Sequence, residues 1–464
     1  MSVYVPRPRI TPPLDEQFQP LVLANHSFLN AGRVSGKSVP LIIALERGDS
    51  HTSSYATEVF APAAPEAKLN LPYVERLVKT LLWQRGGWRI VVGGPREIGE
   101  HIQAVYSPDG PRGFDAQFMS GVYERPFTVE MATADHMPPA QEKSVSLGRH
   151  LEGCRIGFDA GASDRKVAAV KDGEVVYSEE VVWNPRVQTD PEYHYREITA
   201  ALKSAAAHLP RVDAIGVSAA GIYINNRVAV ASLFRGVAPD LFKAKVRDLF
   251  LRIQREWGGI PLEVANDGEV TALAGAMALG DNAVLGIALG SSEAGGYVDT
   301  KGNLTTRLNE LAFVPFDLNP EAPVDEWSGD RGVGAQYFSQ TGVIRLAPRA
   351  GIQPQGQTPA EQLASVQKLL AQGDARARKI WETLGCELGY AIAHYADIYH
   401  FRHVLVLGRV TSGEGGPIML ERAQEVLQIE FPGLQGRAML HLPDESNRRV
   451  GQAVAAASLP ALKG

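Results

Sequence analysis

The chain has 464 residues, of which 45% are hydrophobic and 21% charged, and its formal net charge is −6. This length is enough for two or three domains, and the composition is that of an ordinary globular protein. The negative charge does not favour a nucleic-acid partner. Two cysteines, Cys154 and Cys386, cannot build a zinc or iron–sulfur centre by themselves, and they argue against a disulfide framework.

The start of the chain lacks the apolar stretch of a signal peptide. No apolar run approaches the roughly 18 residues that would span a bilayer. We therefore expect a cytoplasmic enzyme without a membrane partner.

Residues 1–150 differ in character from the rest and are predicted to form an N-terminal α+β extension. Segments 39–48 and 87–95 are typical of strands. Segment 71–87 has the apolar spacing of a helix, which begins near a proline and ends at a glycine. Residues 132–148 are polar and aperiodic, so they are predicted to be the linker to the next domain.

From residue 153 the pattern becomes strand, glycine turn, strand, turn, strand, and a second strand–turn–strand follows at 283–299. Strands and helices alternate after each, which predicts two α/β lobes with a cleft between them, 151–265 and 266–464. The predicted helices fall at about 193–208, 240–257, 375–399 and 445–458, and the strands at 212–221 and from 403.

Two glycine turns between strands predict a nucleotide site. In "DAGAS" (159–163), a small-residue turn lets backbone N–H groups approach a phosphate at Gly161, and Ser163 adds a hydroxyl donor. Asp159, at the end of the strand, is the candidate magnesium ligand through water. The alternative is a plain hairpin turn.

The second turn, "ALGSSEAGG" (288–296), has the same design, with Gly290, Ser291 and Ser292 as candidate nucleotide-binding residues. A third glycine cluster, "GRVTSGEGG" (408–416), stands between a strand and a helix, where the base and ribose of a nucleotide commonly bind. Its candidates are Gly408, Gly413 and Gly415.

The order "DAGAS", "AND" (265–267), "ALGSSEAGG" and "VLGRVTSGEGG" resembles the sugar kinases of the two-lobed actin-like (ribonuclease H-like) ATPase fold. Within that fold the chain is most similar to the ROK family (repressors, open reading frames and sugar kinases), over about 153–464. The resemblance implies ATP and Mg²⁺ as cofactors and Asp267 as the catalytic base. It also implies that Asn266, Glu310 of "LNELAF" and Gly221 bind the sugar.

The chain departs from the family pattern at the position of a family histidine, where it has Phe313. The family's cysteine-rich zinc loop falls on 327–340, which contains no cysteine, so we predict no zinc. Loss of the histidine also puts glucose itself in doubt as the substrate.

Each candidate side chain has an ordinary structural alternative. Asp267 suits the N-cap of the helix that follows it as well as the role of base. Glu310 is a sugar ligand or an acid of a surface loop, and Lys166 a phosphate contact or a solvated charge. Residues 106–127, rich in aromatic side chains and arginine, pack against the lobes, line a sugar site or form an oligomer surface.

Two functions compete: an ATP-dependent kinase of a sugar or sugar-like polyol, and a non-catalytic sugar-sensing regulator of the same fold. A helix-turn-helix would indicate a repressor, but residues 1–150 are not basic and show no such helix pair, which disfavours DNA binding. Family members commonly dimerise, so the resemblance implies a homo-oligomer. A Walker-like segment, "GRVSGKS" (32–38), precedes a predicted strand rather than a helix and is set aside.

Overall fold

The computed structural model describes residues 6–48, 51–142, 147–161, 164–443 and 445–462, without the side chains of 134 and 445–450. Within these ranges the chain forms three mixed α/β units, each built on its own sheet. Among the described helices, none combines the length and the apolarity that crossing a membrane requires.

The first unit is α+β, as predicted. Its sheet has the order β2-β1-β3-β4, in which the β3–β4 pair is parallel and the other pairs antiparallel. The predicted helix at 71–87 is confirmed, and three further helices were not foreseen. The elements are α1 Leu21–Ser35, β1 Ser38–Glu46, β2 Thr52–Phe60, α2 Asn70–Arg85, β3 Arg89–Gly93, α3 Arg96–Val105, α4 Gly113–Tyr123 and β4 Thr128–Ala132.

The second unit, the first lobe, carries a five-stranded sheet of order β11-β8-β5-β6-β7. Strands β11, β8 and β5 are parallel to one another, and β6 is antiparallel to both of its neighbours. The elements are β5 Cys154–Ala160, β6 Asp164–Lys171, β7 Glu174–Val182, α5 Pro191–Ala206, β8 Ala214–Ala219, β9 Ile222–Ile224, β10 Arg227–Val230, α6 Pro239–Leu241, α7 Leu249–Glu256 and β11 Leu262–Asn266.

The prediction of a single helix at about 240–257 is wrong. A π-helical turn, Phe242–Val246, separates α6 from α7. The carbonyl of Arg247 accepts the N–H of Val228 from β10, at 3.0 Å. This carbonyl is thereby engaged by the neighbouring strand at the break between the two helical segments.

The third unit, the second lobe, has a sheet of order β13-β12-β14-β15, in which β12, β14 and β15 are parallel. The predicted strand–turn–strand at 283–299 and the long helix near 375–399 are both present. The elements are α8 Asp267–Leu279, β12 Val284–Leu289, β13 Glu293–Val298, α9 Gln340–Arg349, α10 Pro359–Ala371, α11 Ala375–Ala396, β14 His403–Leu407, α12 Gly415–Glu430, β15 Met439–His441 and α13 Glu445–Ala457.

Helix α13 returns to the first lobe and packs on its sheet. A Cβ at Gly157 would lie 1.9 Å from the carbonyl oxygen of Ala453, and one at Gly216 would lie 1.6 Å from that of Ala456. Glycine at both positions therefore allows the helix backbone to lie directly on β5 and β8. The domain bounds drawn from the sequence remain a prediction, and this helix contacts the lobe on the other side of the predicted boundary.

The N-terminal unit shares one continuous hydrophobic core with the second lobe. Charged side chains join the same two units: the fully buried Lys79 of α2 pairs with Asp115 at 3.0 Å and also with Asp330. The unit also reaches the first lobe, where Glu124 pairs with Arg227 at 3.3 Å and with Arg247. The N-terminal unit is therefore anchored to both lobes.

Candidate active site

Three parallel strands of the first lobe end at one edge of the sheet. Asp159 lies near the end of β5, and Asn266 ends β11, with β8 between them. Gly221 follows the end of β8. The carboxyl ends of parallel strands are the usual place for a binding crevice in open α/β sheets. The fold thus brings together predicted residues that are far apart in sequence.

Asp267 is the first residue of α8, and the N-cap of that helix is Asn266. Asn266 Oδ1 accepts the N–H of Gly268 at 2.7 Å, and Asp267 Oδ1 accepts the same N–H at 3.0 Å. The backbone N–H of Asp267 also interacts with its own carboxylate. Because Asn266 caps the helix, the carboxylate of Asp267 is partly exposed and accessible to a ligand.

The carboxyl groups at this edge influence one another. Burial, and secondarily the charge of Asp159, raise the pKa of Asp267 to about 6. Burial, and secondarily the charge of Asp267, raise the pKa of Glu310 to about 7. Asp159 from the first lobe and Glu310 from the second therefore both lie close enough to act on Asp267.

Polar side chains surround Asp159. Ser218 Oγ donates to Asp159 Oδ1 at 2.8 Å, Gln452 Nε2 lies 3.4 Å from the same oxygen, and Lys166 Nζ lies 3.7 Å from Oδ2. Lys166 also pairs with Asp164 at 2.8 Å, so it is partnered rather than solvated. The alternation of strand β6 could have placed Lys166 beside Asp159, but no signal in the sequence pointed to Gln452 in α13.

The amide of Asn266 connects two of the candidate sugar-binding residues. Its Nδ2 donates to the carbonyl oxygen of Gly221 at 2.7 Å. Gly221 has φ +129°, and a Cβ there would lie 2.4 Å from the carbonyl oxygen of Val230, so glycine is required at this turn. Asn266 therefore fixes the loop after β8 as well as the start of α8.

Glu310 is positioned by the N-terminal unit. The carbonyl groups at the end of α2 have no intrahelical partners, as at every helix C-terminus. Those of Arg85, Gln84 and Trp83 accept the backbone N–H groups of residues 308, 309 and 310 at 3.3, 2.9 and 3.1 Å. The loop that carries Glu310 is thus held against the end of α2, and Glu310 is not an acid of a free surface loop.

The second-lobe candidates for nucleotide binding lie at the carboxyl ends of β12 and β14. Gly290, Ser291 and Ser292 form the turn after β12, and both serines are exposed. A Cβ at Gly290 would meet one atom within 4 Å, the carbonyl oxygen of Ser292 at 3.8 Å. Open space therefore lies over this turn, as a phosphate-binding turn requires.

The turn of residues 408–416 lies beside the turn of residues 290–292. A Cβ at Gly408 would lie 2.3 Å from the carbonyl oxygen of Leu289, so the two turns touch. Gly413 is exposed and faces open space, whereas Gly415 is buried against the indole of Trp381. The geometry leaves Gly413 accessible to a ligand and gives Gly415 a packing contact.

The first-lobe turn is described in part. Gly161 is partly buried, and a Cβ there would lie 2.7 Å from the carbonyl oxygen of Asp164. Ser163 lies outside the described residues. Among those that are described, no group of three or more His, Cys, Asp or Glu side chains is arranged to hold a metal ion. A magnesium ion held through water by Asp159 needs fewer protein ligands, because substrate phosphates complete its shell.

A cavity of about 540 Å³ opens beside Asn266. All three units line it: the N-terminal unit, the loops after β8 and β9, and the second-lobe loop of residues 305–308. Its volume is in the range of small-molecule sites. Tyr223 lines it and interacts electrostatically with Asp267, so the cavity lies close to the candidate base.

No family model matches the sequence, and no curated protein matches it. Among solved structures, a ROK family glucokinase from Streptomyces griseus in complex with glucose and AMPPNP is 21% identical, with a TM-score of 0.50, and the match covers 66% of this chain and 98% of that one. A ROK hexokinase from Thermus thermophilus is 18% identical, with a TM-score of 0.51, and the match covers 65% and 97%. At these identities the likeness shows the fold: the chain has the two-lobed actin-like fold of ROK proteins, which confirms the predicted fold class.

Proposed function

We propose that this chain, which has the fold of the ROK sugar kinases, transfers a phosphoryl group from ATP to a hydroxyl group of a sugar or sugar-like polyol. The observation that carries the proposal is the carboxylate of Asp267. It stands at a strand end beside a cavity, it is partly exposed, and Asp159 and Glu310 are nearby. The similar glucokinase was solved with glucose and AMPPNP, a sugar and an ATP analogue.

In this proposal Asp267 orients the attacking hydroxyl group and accepts its proton on Oδ2. A pKa of about 6 suits this task, because the group is ionised at neutral pH and still basic enough to take a proton. Glu310 accepts or donates a hydrogen bond to a second hydroxyl group. Asn266 holds the start of α8, which carries the base, and also holds the Gly221 turn.

The two second-lobe turns and Gly161 are the proposed binding surface for the phosphates. Bound Mg-ATP supplies the phosphoryl group, together with a metal ion that offsets the negative charge of the phosphates. Asp159 would hold a water of the magnesium shell, and Lys166 and Ser218 keep its carboxylate in place. Ser291 and Ser292 offer hydroxyl donors on the exposed face of their turn.

The test measures ADP formed from ATP and Mg²⁺ in the presence of hexoses, amino sugars, sugar acids and inositols. Sugar-dependent ADP should fall by about 10²- to 10⁴-fold in Asp267→Asn, which keeps the size of the side chain but cannot accept the proton. The matched control is Asp190→Asn, because Asp190 caps α5 at an exposed position and asparagine caps equally well. Tight sugar binding without ADP would instead identify a sugar sensor.

A further inference from the structure

The cavity beside Asn266 has a strongly basic wall. Arg47, from the end of β1, and Arg307, from the second-lobe loop, both line it. Arg85 lies behind them, since its carbonyl oxygen accepts Arg47 Nη1 at 2.9 Å. Arg47 and Arg85 are 4% and 7% exposed, so two of the three side chains are almost entirely removed from water.

The described residues supply less negative charge than these arginines carry. Glu142 Oε2 lies 2.7 Å from Arg307, and Glu142 Oε1 lies 3.6 Å from Arg47. Arg85 has no carboxylate partner in the described ranges. Burial lowers the pKa values of Arg47 and Arg85, that of Arg85 to about 10, and the nearby arginines lower both further. Three buried or half-buried cations around one carboxylate are costly unless another anion joins them.

Polar atoms at this wall also lack partners. The Nε atoms of Arg47 and Arg307 and the Oγ1 of Thr305 are buried and make no hydrogen bond within the described part of the chain. All three residues line the cavity. Buried donors without partners are uncommon in proteins, and the residues that carry these atoms line a space that is large enough for a ligand.

Two further carboxyl groups line the cavity, Glu263 of β11 and Glu269 of α8. Burial raises the pKa of both, and it raises that of Glu269 to about 8, so Glu269 carries its proton at neutral pH. Asn309 donates to Glu269 at 3.4 Å. Glu269 therefore offsets little of the positive charge of the arginines.

We propose that the sugar acceptor is anionic and that its carboxylate or phosphate group binds to Arg47 and Arg307, with its reacting hydroxyl group toward Asp267. The inference rests on the proposed function. Guanidinium groups bind both kinds of oxyanion through paired N–H donors, and Thr305 adds a hydroxyl donor. The N-terminal unit then has a direct role, because Arg47 belongs to it while Arg307 and Asp267 belong to the second lobe.

The test is calorimetric titration of the full-length protein, without nucleotide, with matched sugars: glucose, glucuronate, gluconate and glucose 6-phosphate. We expect an acidic sugar to bind at least tenfold more tightly than glucose, and added salt to weaken that binding. The preference between the carboxylates and the phosphate identifies the oxyanion.

In Arg307→Gln, affinity for the acidic sugar should fall by about ten- to hundredfold, which is the range for loss of a charged hydrogen bond. Affinity for glucose should change by less than about threefold, since glucose does not engage the charge. Arg47→Lys tests the second arginine. It retains the positive charge, so the test does not depend on whether a variant with a neutral residue at this position folds. Arg33→Gln is the control, because Arg33 is an exposed arginine of the same unit.

The outcomes distinguish a failure of this inference from a failure of the proposed kinase function. Binding of acidic sugars that depends on Arg307 supports the inference even when no ADP forms. ADP formation with neutral sugars alone, while the acidic sugars neither bind nor react, overturns the inference and leaves the kinase in place. Failure of all the acidic sugars to bind also overturns it.

Discussion

The indole of Trp83 stacks on the ring of Phe313, with centroids 4.2 Å apart and an interplanar angle of 28°. Trp83 is buried in the last turn of α2, and Phe313 lies three residues beyond Glu310. Phe114 and Phe118 of α4 complete the aromatic cluster. This contact joins the N-terminal unit to the loop of the candidate active site.

Replacing Trp83 by alanine should therefore destabilise the whole protein. We expect a loss of about 3–5 kcal/mol, the usual cost of truncating a buried aromatic side chain. Unfolding in urea, followed by fluorescence and circular dichroism, measures it. Trp327→Ala is the control, because Trp327 contacts the edge of the same cluster but is 60% exposed. An N-terminal unit that melts separately, with the lobes intact, would contradict the shared core.

Turnover by the proposed kinase should depend on pH through Asp267. The pKa of this carboxyl group is raised to about 6, and only its ionised form accepts a proton. We expect kcat/KM to rise with pH and to level off between about 6 and 7, because Glu310, with a pKa near 7, titrates in coupling with it. A profile that is flat from pH 5 to 8 would argue against Asp267 as the base.

The same carboxyl group should lower stability at neutral pH. Its pKa is higher in the folded state than in the unfolded chain, so the folded state binds more protons between pH 4 and 6 and loses stability as pH rises through that window. Asp267→Asn removes this penalty and should stabilise the protein by about 1–2 kcal/mol at pH 8. At pH 3.5 the difference should vanish. Equal effects at both pH values would mean that burial of the charge is not the cause.

A separate prediction concerns the buried ion cluster around Lys79. Lys79→Met leaves Asp115 and Asp330 without their shared cation, and we expect a loss of about 3–5 kcal/mol. Arg96→Ala, which removes an exposed pair with Glu100, should change stability by less than about 0.5 kcal/mol. Thermal and urea unfolding of the two variants provide the comparison. Similar losses of stability in the two variants would show that the buried cluster does not stabilise the fold.

Much of the fold was predictable because its signals are local. The strand–glycine turn–strand patterns of β5–β6 and β12–β13 and the long helix α11 all lie within continuous segments of the chain. The break between α6 and α7 has no such local signal, and a backbone N–H of β10 donates to a carbonyl group at that break.

The candidate site likewise contains residues that the sequence predicted and residues that it did not. The order of the segments predicted that Asp159, Asp267 and Glu310 lie around one cleft, and in the structure the charge of Asp159 raises the pKa of Asp267 and the charge of Asp267 raises that of Glu310. Gln452 and Arg47 approach from elements far away in the chain, and no local pattern indicates such contacts. The function of residues 1–150 was also open, because their relation to the lobes depends on tertiary packing alone.

The packing of α13 on Gly157 and Gly216 has a consequence for synthesis on the ribosome. The covering residues, Ala453 and Ala456, are translated about three hundred positions after β5, so that face of the sheet has no partner while most of the polypeptide is made. A nascent chain that stalls before this point presents an apolar surface to chaperones and to other nascent chains. The first lobe, although translated early, is therefore completed only when α13 has been made.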